Sequence, residues 1–225
     1  YHYCSEILRK SFYDGSRWNM DECDSHTIFV SQGYYPIKGL HYMLEALGDI
    51  RKFYPDARLR VACGVSLNNA GLKNRLKQKN YQRYLAELIE KYSLAGCVEF
   101  LPPLKADEMK RMYLKSNVFV SPSSIENSPN SLGEAMMLGV PCVSSLVGGV
   151  GNMLINGAEG FTYQHDAPYM LAYYVMEIFR LQKENRQQLA DMTDMAHSHA
   201  MSLFDSEKNA ANMLEIYSGI ERIKG

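Results

Sequence analysis

The stretch Asn117-Val-Phe-Val-Ser121-Pro-Ser-Ser-Ile-Glu126-Asn-Ser-Pro-Asn-Ser-Leu-Gly-Glu134-Ala-Met-Met-Leu-Gly139-Val-Pro141-Cys-Val-Ser144 decides the fold. Asn117 to Ser121 is a run apolar enough to be buried on both faces of a sheet. The chain then breaks at Pro122 and predicts a helix from about Ser131 to Leu138, ended by Gly139. Pro141 to Ser144 is a second apolar run. A buried strand, a loop, a helix and another buried strand in so short a span form a parallel crossover unit.

The same alternation extends in both directions. Upstream, Ile28-Phe29-Val30 is a first strand, followed by a loop punctuated by Gly33, Pro36 and Gly39. Leu40, Met43, Leu44, Leu47, Ile50 and Phe53 then fall near 3.6-residue spacing until Pro55. Leu59, Val61 and Cys63 alternate with Arg58 and Arg60 as a second strand, ended by Gly64. A helical stretch spans roughly Leu72 to Tyr92, with Leu85, Leu88, Ile89 and Tyr92 on one side. Cys97 to Leu101 is a third strand, and Asp107-Glu108 suit the first turn of the helix after it, whose Met109, Met112 and Tyr113 face inward. Gly160 to Tyr163 is a sixth short run, and two or three helices, with core positions such as Met170, Tyr174 and Ile178, fill the rest. The class is α/β: a doubly wound, mostly parallel, Rossmann-like sheet over residues 28–204. Ligands of such sheets bind beyond the carboxyl ends of the strands. The loops of interest are therefore 32–39, 101–105, 121–131 and 144–151.

Residues 1–27 carry Trp18, Phe12, Tyr13 and an acidic cluster of Asp21, Glu22 and Asp24, with no clear period. They read as a linker or the tail of something upstream, and a start without Met reads as a fragment. Residues 205–225 read as a C-terminal helix whose Met213, Leu214, Ile216 and Tyr217 leave apolar surface exposed.

Composition narrows the function. At 225 residues, 46% hydrophobic and 22% charged, the chain is an ordinary globular protein large enough to need no disulfide or metal staple. Twenty-four Lys and Arg against twenty-five Asp and Glu leave a net charge of −1. That balance gives no electrostatic reason to expect nucleic acid. No apolar run reaches the ~18 residues of a membrane span. Five cysteines without a Cys-x-x-Cys match inert thiols in a reducing cytoplasm.

The deciding stretch also carries chemistry. Glu126 lies in the loop after a buried strand, and Glu134 stands eight positions later inside the helix. With Ser128 as cap and Pro129 at the first helical position, the helix start offers the amides of Asn130 and Ser131 to the crevice, an anion site that suits phosphate. Carboxylates beside phosphate need other work, and accepting hydrogen bonds from a sugar diol is such work. Two plainer roles stay open. Ser131-x-x-Glu134 is a capping-box pattern, and Glu126 could be a solvated loop charge. Lys38, at the end of the first strand, can reach a pyrophosphate or simply face solvent.

In order and spacing, Lys38-Gly39, Ser121-Pro-Ser, Glu126-x7-Glu134, Ala135-Met-x-x-Gly139-x-Pro141 and Gly148-Gly149 resemble the retaining glycosyltransferase family 4, the group 1 glycosyltransferases, over about residues 28–204. The resemblance implies one half of a GT-B fold, the C-terminal half that binds a nucleoside diphosphate sugar. It implies transfer of that sugar to an acceptor with retention, typically in cell-surface polysaccharide or glycolipid synthesis. By position, Glu134 looks like the carboxylate that grips the donor ribose, Glu126 like the catalytic one that contacts the sugar, and Lys38 like the pyrophosphate lysine. Asn130 and Ser131 match the phosphate-holding helix start, and Leu104 the position against the base. The C-terminal helix would cross to the missing N-terminal domain, without which this chain alone would be inactive. No metal and no cofactor are implied.

Two departures stand out. The family's Arg a few residues before the Lys falls here at Gly33. The residues after Glu126, often Gly-Phe-Gly, are Asn127-Ser128-Pro129. Other readings of the same halves are a non-hydrolysing nucleotide-sugar epimerase and a non-catalytic interaction domain.

Weaker signals add little. Gly149-Val-Gly151 lacks the third small residue of a dinucleotide fingerprint and comes late in the chain. His197-x-His199 at i, i+2 on a helix point apart. The basic run Lys73 to Arg83 is a solvated helix face, or a surface drawn to anionic lipid where lipid-linked acceptors reside, at the inner face of the membrane.

Overall fold

A computed structural model describes residues 5–62 and 80–224. Six strands form one sheet: β1 (Thr27–Val30), β2 (Arg58–Ala62), β3 (Val98–Leu101), β4 (Val118–Ser121), β5 (Cys142–Ser145) and β6 (Phe161–Tyr163). Every strand pairing is parallel, and the order is β3-β2-β1-β4-β5-β6. This is the doubly wound, Rossmann-like arrangement expected of one half of a GT-B fold. Its order reverses between β1 and β4, so the loops leaving those two strands diverge and open a crevice.

The helices are α1 (Leu40–Phe53), α2 (Asn80–Lys91), α3 (Ala106–Leu114), α4 (Asn130–Met137), α5 (Val150–Met153), α6 (Pro168–Glu184), α7 (Arg186–Leu203) and α8 (Ser206–Lys224). The central strands are buried throughout, as their unbroken apolar runs require. Phe29 of β1 meets Tyr113 of α3 at 5.0 Å between ring centres. Strand alternation therefore turns Ile28 and Val30 toward the other layer, where α1 packs on α2 and α6. Leu40, Met43, Leu44, Leu47 and Ile50 of α1 are fully buried, the face their spacing marks, whereas Phe53 at the end of that spacing is exposed.

The expected helix from Leu72 has its described part at Asn80–Lys91, with Leu85 and Leu88 buried. Lys73 to Lys79 and Cys63 lie outside the described residues, so most of the basic run does too. The cap of α4 differs from the sequence reading. Pro129 is itself the cap residue, in an extended conformation, and no side chain caps the helix. The Ser128 hydroxyl points instead to Met153 Sδ at 3.5 Å.

Residues 5–24 are packed on the domain. Leu8 and Phe12 are buried, and Phe12 meets the Tyr113 ring edge-on at 5.9 Å. Trp18 Nε1 donates to the Ser116 carbonyl at 2.8 Å, and its backbone amide to that of Leu138 at 2.7 Å. On α8, Met213, Leu214 and Tyr217 are exposed as expected, and Ile220 with them, while Ile216 is half-buried.

Candidate functional site

The crevice is assembled by loops that lock onto one another. Gly39, at φ +69°, closes the turn Pro36–Lys38 that follows β1. A side chain there would overlap the Pro122 carbonyl of the loop after β4, and the Ser124 amide donates to the Ile37 carbonyl at 2.8 Å. On the other flank Gly148 adopts φ +53° beneath Glu126, where a Cβ would collide with the Glu126 carbonyl. The Gly149 amide donates to the Asn127 carbonyl at 2.6 Å. Only glycine tolerates both the positive φ and the contact. The backbone carrying Glu126 is thus clamped between the loops after β1 and β5.

Within this clamp Lys38 Nζ lies 2.7 Å from Glu126 Oε1, and Ser123 Oγ donates to the same oxygen at 2.6 Å. Lys38 and Glu126 face each other across the switch point. Ser31, Gln32, Ser121, Ser123 and Ser131 line the same small recess.

Glu134 is nearly buried, with 5% of its side chain exposed. Arg9 grips it from the N-terminal segment with two parallel bonds, Nε to Oε1 and Nη2 to Oε2, both 2.6 Å. Glu134 has no capping-box role, because α4 starts at Asn130 and leaves Ser131 inside its first turn; the carboxylate turns to Arg9 instead. The guanidinium also lies 5.0 Å from the centre of the Phe12 ring, and its pKa is raised, chiefly by the bond to Glu134. Beneath them Tyr113 is fully buried. Its hydroxyl donates to the Ser131 carbonyl at 3.0 Å and lies 3.5 Å from Glu134 Oε2, and burial pushes the phenol well up.

These groups surround a cavity of about 250 Å³ that adjoins the Glu126 recess and shares Ser31, Gln32 and Ser131 with it. A further hollow of about 340 Å³ is lined by Tyr34, Tyr35, Pro103, Leu104 and Met109, and again by Gln32. The three make one cleft along the carboxyl ends of β1, β3 and β4. Leu104, Glu134, Asn130, Ser131, Glu126 and Lys38, singled out from sequence, all line it. The Leu132 and Gly133 amides close on the Pro129 carbonyl, so the Asn130 and Ser131 amides are the first-turn donors without a backbone partner among the described residues. Asn130 Nδ2 donates to Glu6 at 2.7 Å.

Sequence reasoning did not find Arg9. Its partner lies 125 positions away, and the segment around it has no period. At Gly33, the place where the resemblance implies an Arg, a Cβ would press on the buried Leu40 and Val61 side chains, which would have to shift. His197 and His199 point to different partners, the Met137 carbonyl and Glu159.

Sheet order and a cleft at the switch point define a doubly wound α/β domain. Residues 18–193 match the family described as glycosyl transferases group 1, and the chain belongs to that family. The chain is similar to D-inositol 3-phosphate glycosyltransferase of Corynebacterium urealyticum, with 26% identity over 184 residues, covering 82% of this chain and 41% of that protein. Among solved structures, sucrose-phosphate synthase from Thermosynechococcus elongatus aligns with a TM-score of 0.78 at 19% identity, over 98% of this chain and 52% of that one. Anabaena HepE in complex with UDP-glucose aligns with a TM-score of 0.70 at 20% identity, over 87% of this chain and 49% of that one. The chain thus spans about half the length, or less, of these relatives.

Proposed function

We propose that this chain is the C-terminal, donor-binding half of a retaining glycosyltransferase, which with an N-terminal half moves a sugar from a nucleoside diphosphate to an acceptor. One observation carries the reading. Glu126 and Glu134 line adjoining compartments of a single cleft, joined through Ser31, Gln32 and Ser131. In this reading the base lies against Leu104 and Glu134 accepts the ribose diol. The diphosphate meets the Asn130 and Ser131 amides beside Lys38, and the sugar lies at Glu126. That the fold relative HepE was solved with UDP-glucose and with UDP supports a donor of this class.

As the anomeric C–O bond lengthens, negative charge gathers on the departing diphosphate. Lys38 and the amides at the positive end of α4 stabilise that charge, and no protonation by a paired acid is needed. Glu126, released from Lys38, accepts the sugar hydroxyls and holds the anomeric carbon toward the acceptor. Neither metal nor cofactor enters the step. Acceptor-binding groups belong to the other half, so this chain alone binds donor and turns over poorly or not at all. No helix among the described residues is long and apolar enough to cross a membrane. The setting proposed is cytoplasmic, at the inner face of a membrane carrying lipid-linked acceptors for polysaccharide or glycolipid synthesis.

The test is calorimetric titration with UDP, GDP, ADP and their sugars on the wild type and on Glu134→Ala. Loss of a hydrogen bond to a charged group predicts roughly 10- to 150-fold weaker binding of the preferred nucleotide. A chain that ignores all three diphosphates at millimolar concentration is a non-catalytic interaction domain instead.

A further inference from the structure

The cleft holds two carboxylates, Glu126 and Glu134, with Glu6 as a third on Asn130 at its rim. Each of the two inner ones is covered by one cation. A diphosphate entering this cleft would be repelled unless cations turn to it. Among the described residues lining the three compartments, the cations are Lys38 and Arg9. They line adjoining compartments that share Ser31, Gln32 and Ser131.

Resting on the functional reading above, we infer that Arg9 is a donor-binding residue. It pairs with Glu134 and turns to the diphosphate when the donor enters, freeing Glu134 for the ribose. Three observations support the exchange. First, the arm is fixed at its base. Leu8 and Phe12 are buried on either side of Arg9, and the Tyr13 hydroxyl ties the Leu8 amide, at 3.1 Å, to the Phe204 carbonyl, at 2.8 Å. These contacts hold the backbone of the segment and leave the Arg9 side chain as the part to be re-aimed. Second, the head has room to turn, because 41% of the Arg9 side chain is exposed against 5% of Glu134. Third, the planar fork that now meets a carboxylate bidentately has the geometry to meet a phosphate the same way. Lys38 on Glu126 repeats the arrangement at the sugar end. Each cation would leave an acid that then accepts hydroxyls.

A bare Arg9 substitution strands the buried Glu134 charge and can unfold the chain, so the pair is dissected in a Glu134→Gln background. UDP and uridine are titrated into E134Q, E134Q/R9M and E134Q/R9K, with GDP and guanosine, and ADP and adenosine, alongside. If Arg9 holds the diphosphate, adding R9M to E134Q weakens diphosphate binding roughly tenfold or more and leaves nucleoside binding as it was. R9K restores part of the loss, and the salt dependence of diphosphate binding falls in the R9M variant. Equal diphosphate affinity with and without Arg9, or tighter binding of nucleoside and diphosphate alike once it is gone, overturns the inference and makes Arg9 a structural or blocking group. Failure of the wild type to bind any of the three diphosphates overturns the functional reading as well. That outcome is distinct from a diphosphate that binds without Arg9.

Discussion

Lys38 Nζ and Ser123 Oγ converge on one oxygen of Glu126, Oε1, at 2.7 and 2.6 Å. Both partners are mostly withdrawn from water, with 22% of the Lys38 side chain and 13% of the Glu126 side chain exposed. Removing the ammonium would therefore leave a carboxylate that solvent only partly compensates. Lys38→Met is expected to cost about 1–3 kcal/mol, a fall of about 2–4 °C in Tm per kcal/mol for a domain of this size. The double variant Lys38→Met with Glu126→Gln should regain most of the loss, since no unpaired charge is left. Thermal unfolding of the four proteins in a mutant cycle measures this, and simple additivity would show that the pair contributes nothing.

Gly148 offers a backbone test of the same loop. Its φ of +53° and the missing space beside the Glu126 carbonyl both oppose any side chain. Gly148→Ala must shift the backbone that carries Glu126, at a cost above the ~1–2 kcal/mol of the left-handed conformation alone. The Glu134 compartment lies further along the cleft. The expected outcome is a lowered Tm with nucleoside diphosphate affinity retained and the extra affinity for the sugar-bearing form lost. Equal losses for both ligands would mean that the clamp shapes the whole cleft and not the Glu126 end.

The sheet was legible because a strand buried on both faces must be apolar at every position, as Phe29, Phe119 and Val143 are. Its amphipathic helices betray their buried faces by spacing, as α1 does. The acids were legible because both lie in one short loop-helix unit that the fold places at the crevice. What sequence did not disclose depends on distant partners. Arg9 meets Glu134, Trp18 meets Ser116 and Lys110 meets the Ser11 carbonyl across 98 to 125 positions, and no local pattern encodes such a meeting. The cap of α4 lies one residue beyond the expected one for a local reason. An extended conformation at Pro129 suits a cap as well as its fixed φ suits a first helical position.

Tyr113 couples the core to the site. Its ring is packed between Phe29 and Phe119, with centres 5.0 and 5.1 Å away, while its hydroxyl supports the Ser131 carbonyl at the start of α4. Tyr113→Phe keeps the packing and removes one donor, so about 1 kcal/mol of stability should be lost. Nucleotide binding should weaken by a few fold as the helix start loosens. Tyr113→Ala adds a cavity and should cost about 3–5 kcal/mol. Urea unfolding of the two variants separates the terms, and a Phe variant as unstable as the Ala variant would make the hydroxyl, not the ring, the dominant contribution.

The interface of α1 and α2 should make stability fall on mild acidification. His41 is half-buried among Tyr42, Tyr81 and Tyr84, and its Nδ1 lies 3.1 Å from the Tyr81 hydroxyl. Burial lowers its pKa below the ordinary 6.5 and raises that of Tyr81 to about 12. The Tyr81 hydroxyl therefore stays protonated beside a neutral imidazole. Above pH 6.5 the folded and unfolded chains both carry His41 neutral, and it adds no pH dependence. As pH falls through that value the unfolded chain takes up the proton first, so stability drops until the folded group also protonates. Asp56 acts in a lower window. Its hydrogen bond to His26 holds it below the usual carboxylate range, and its contribution disappears only in stronger acid. Urea midpoints at pH 7.5 and 5.5 should thus differ in the wild type and move closer together in His41→Gln. A variant whose midpoint falls as steeply as that of the wild type would place the acid sensitivity on another group.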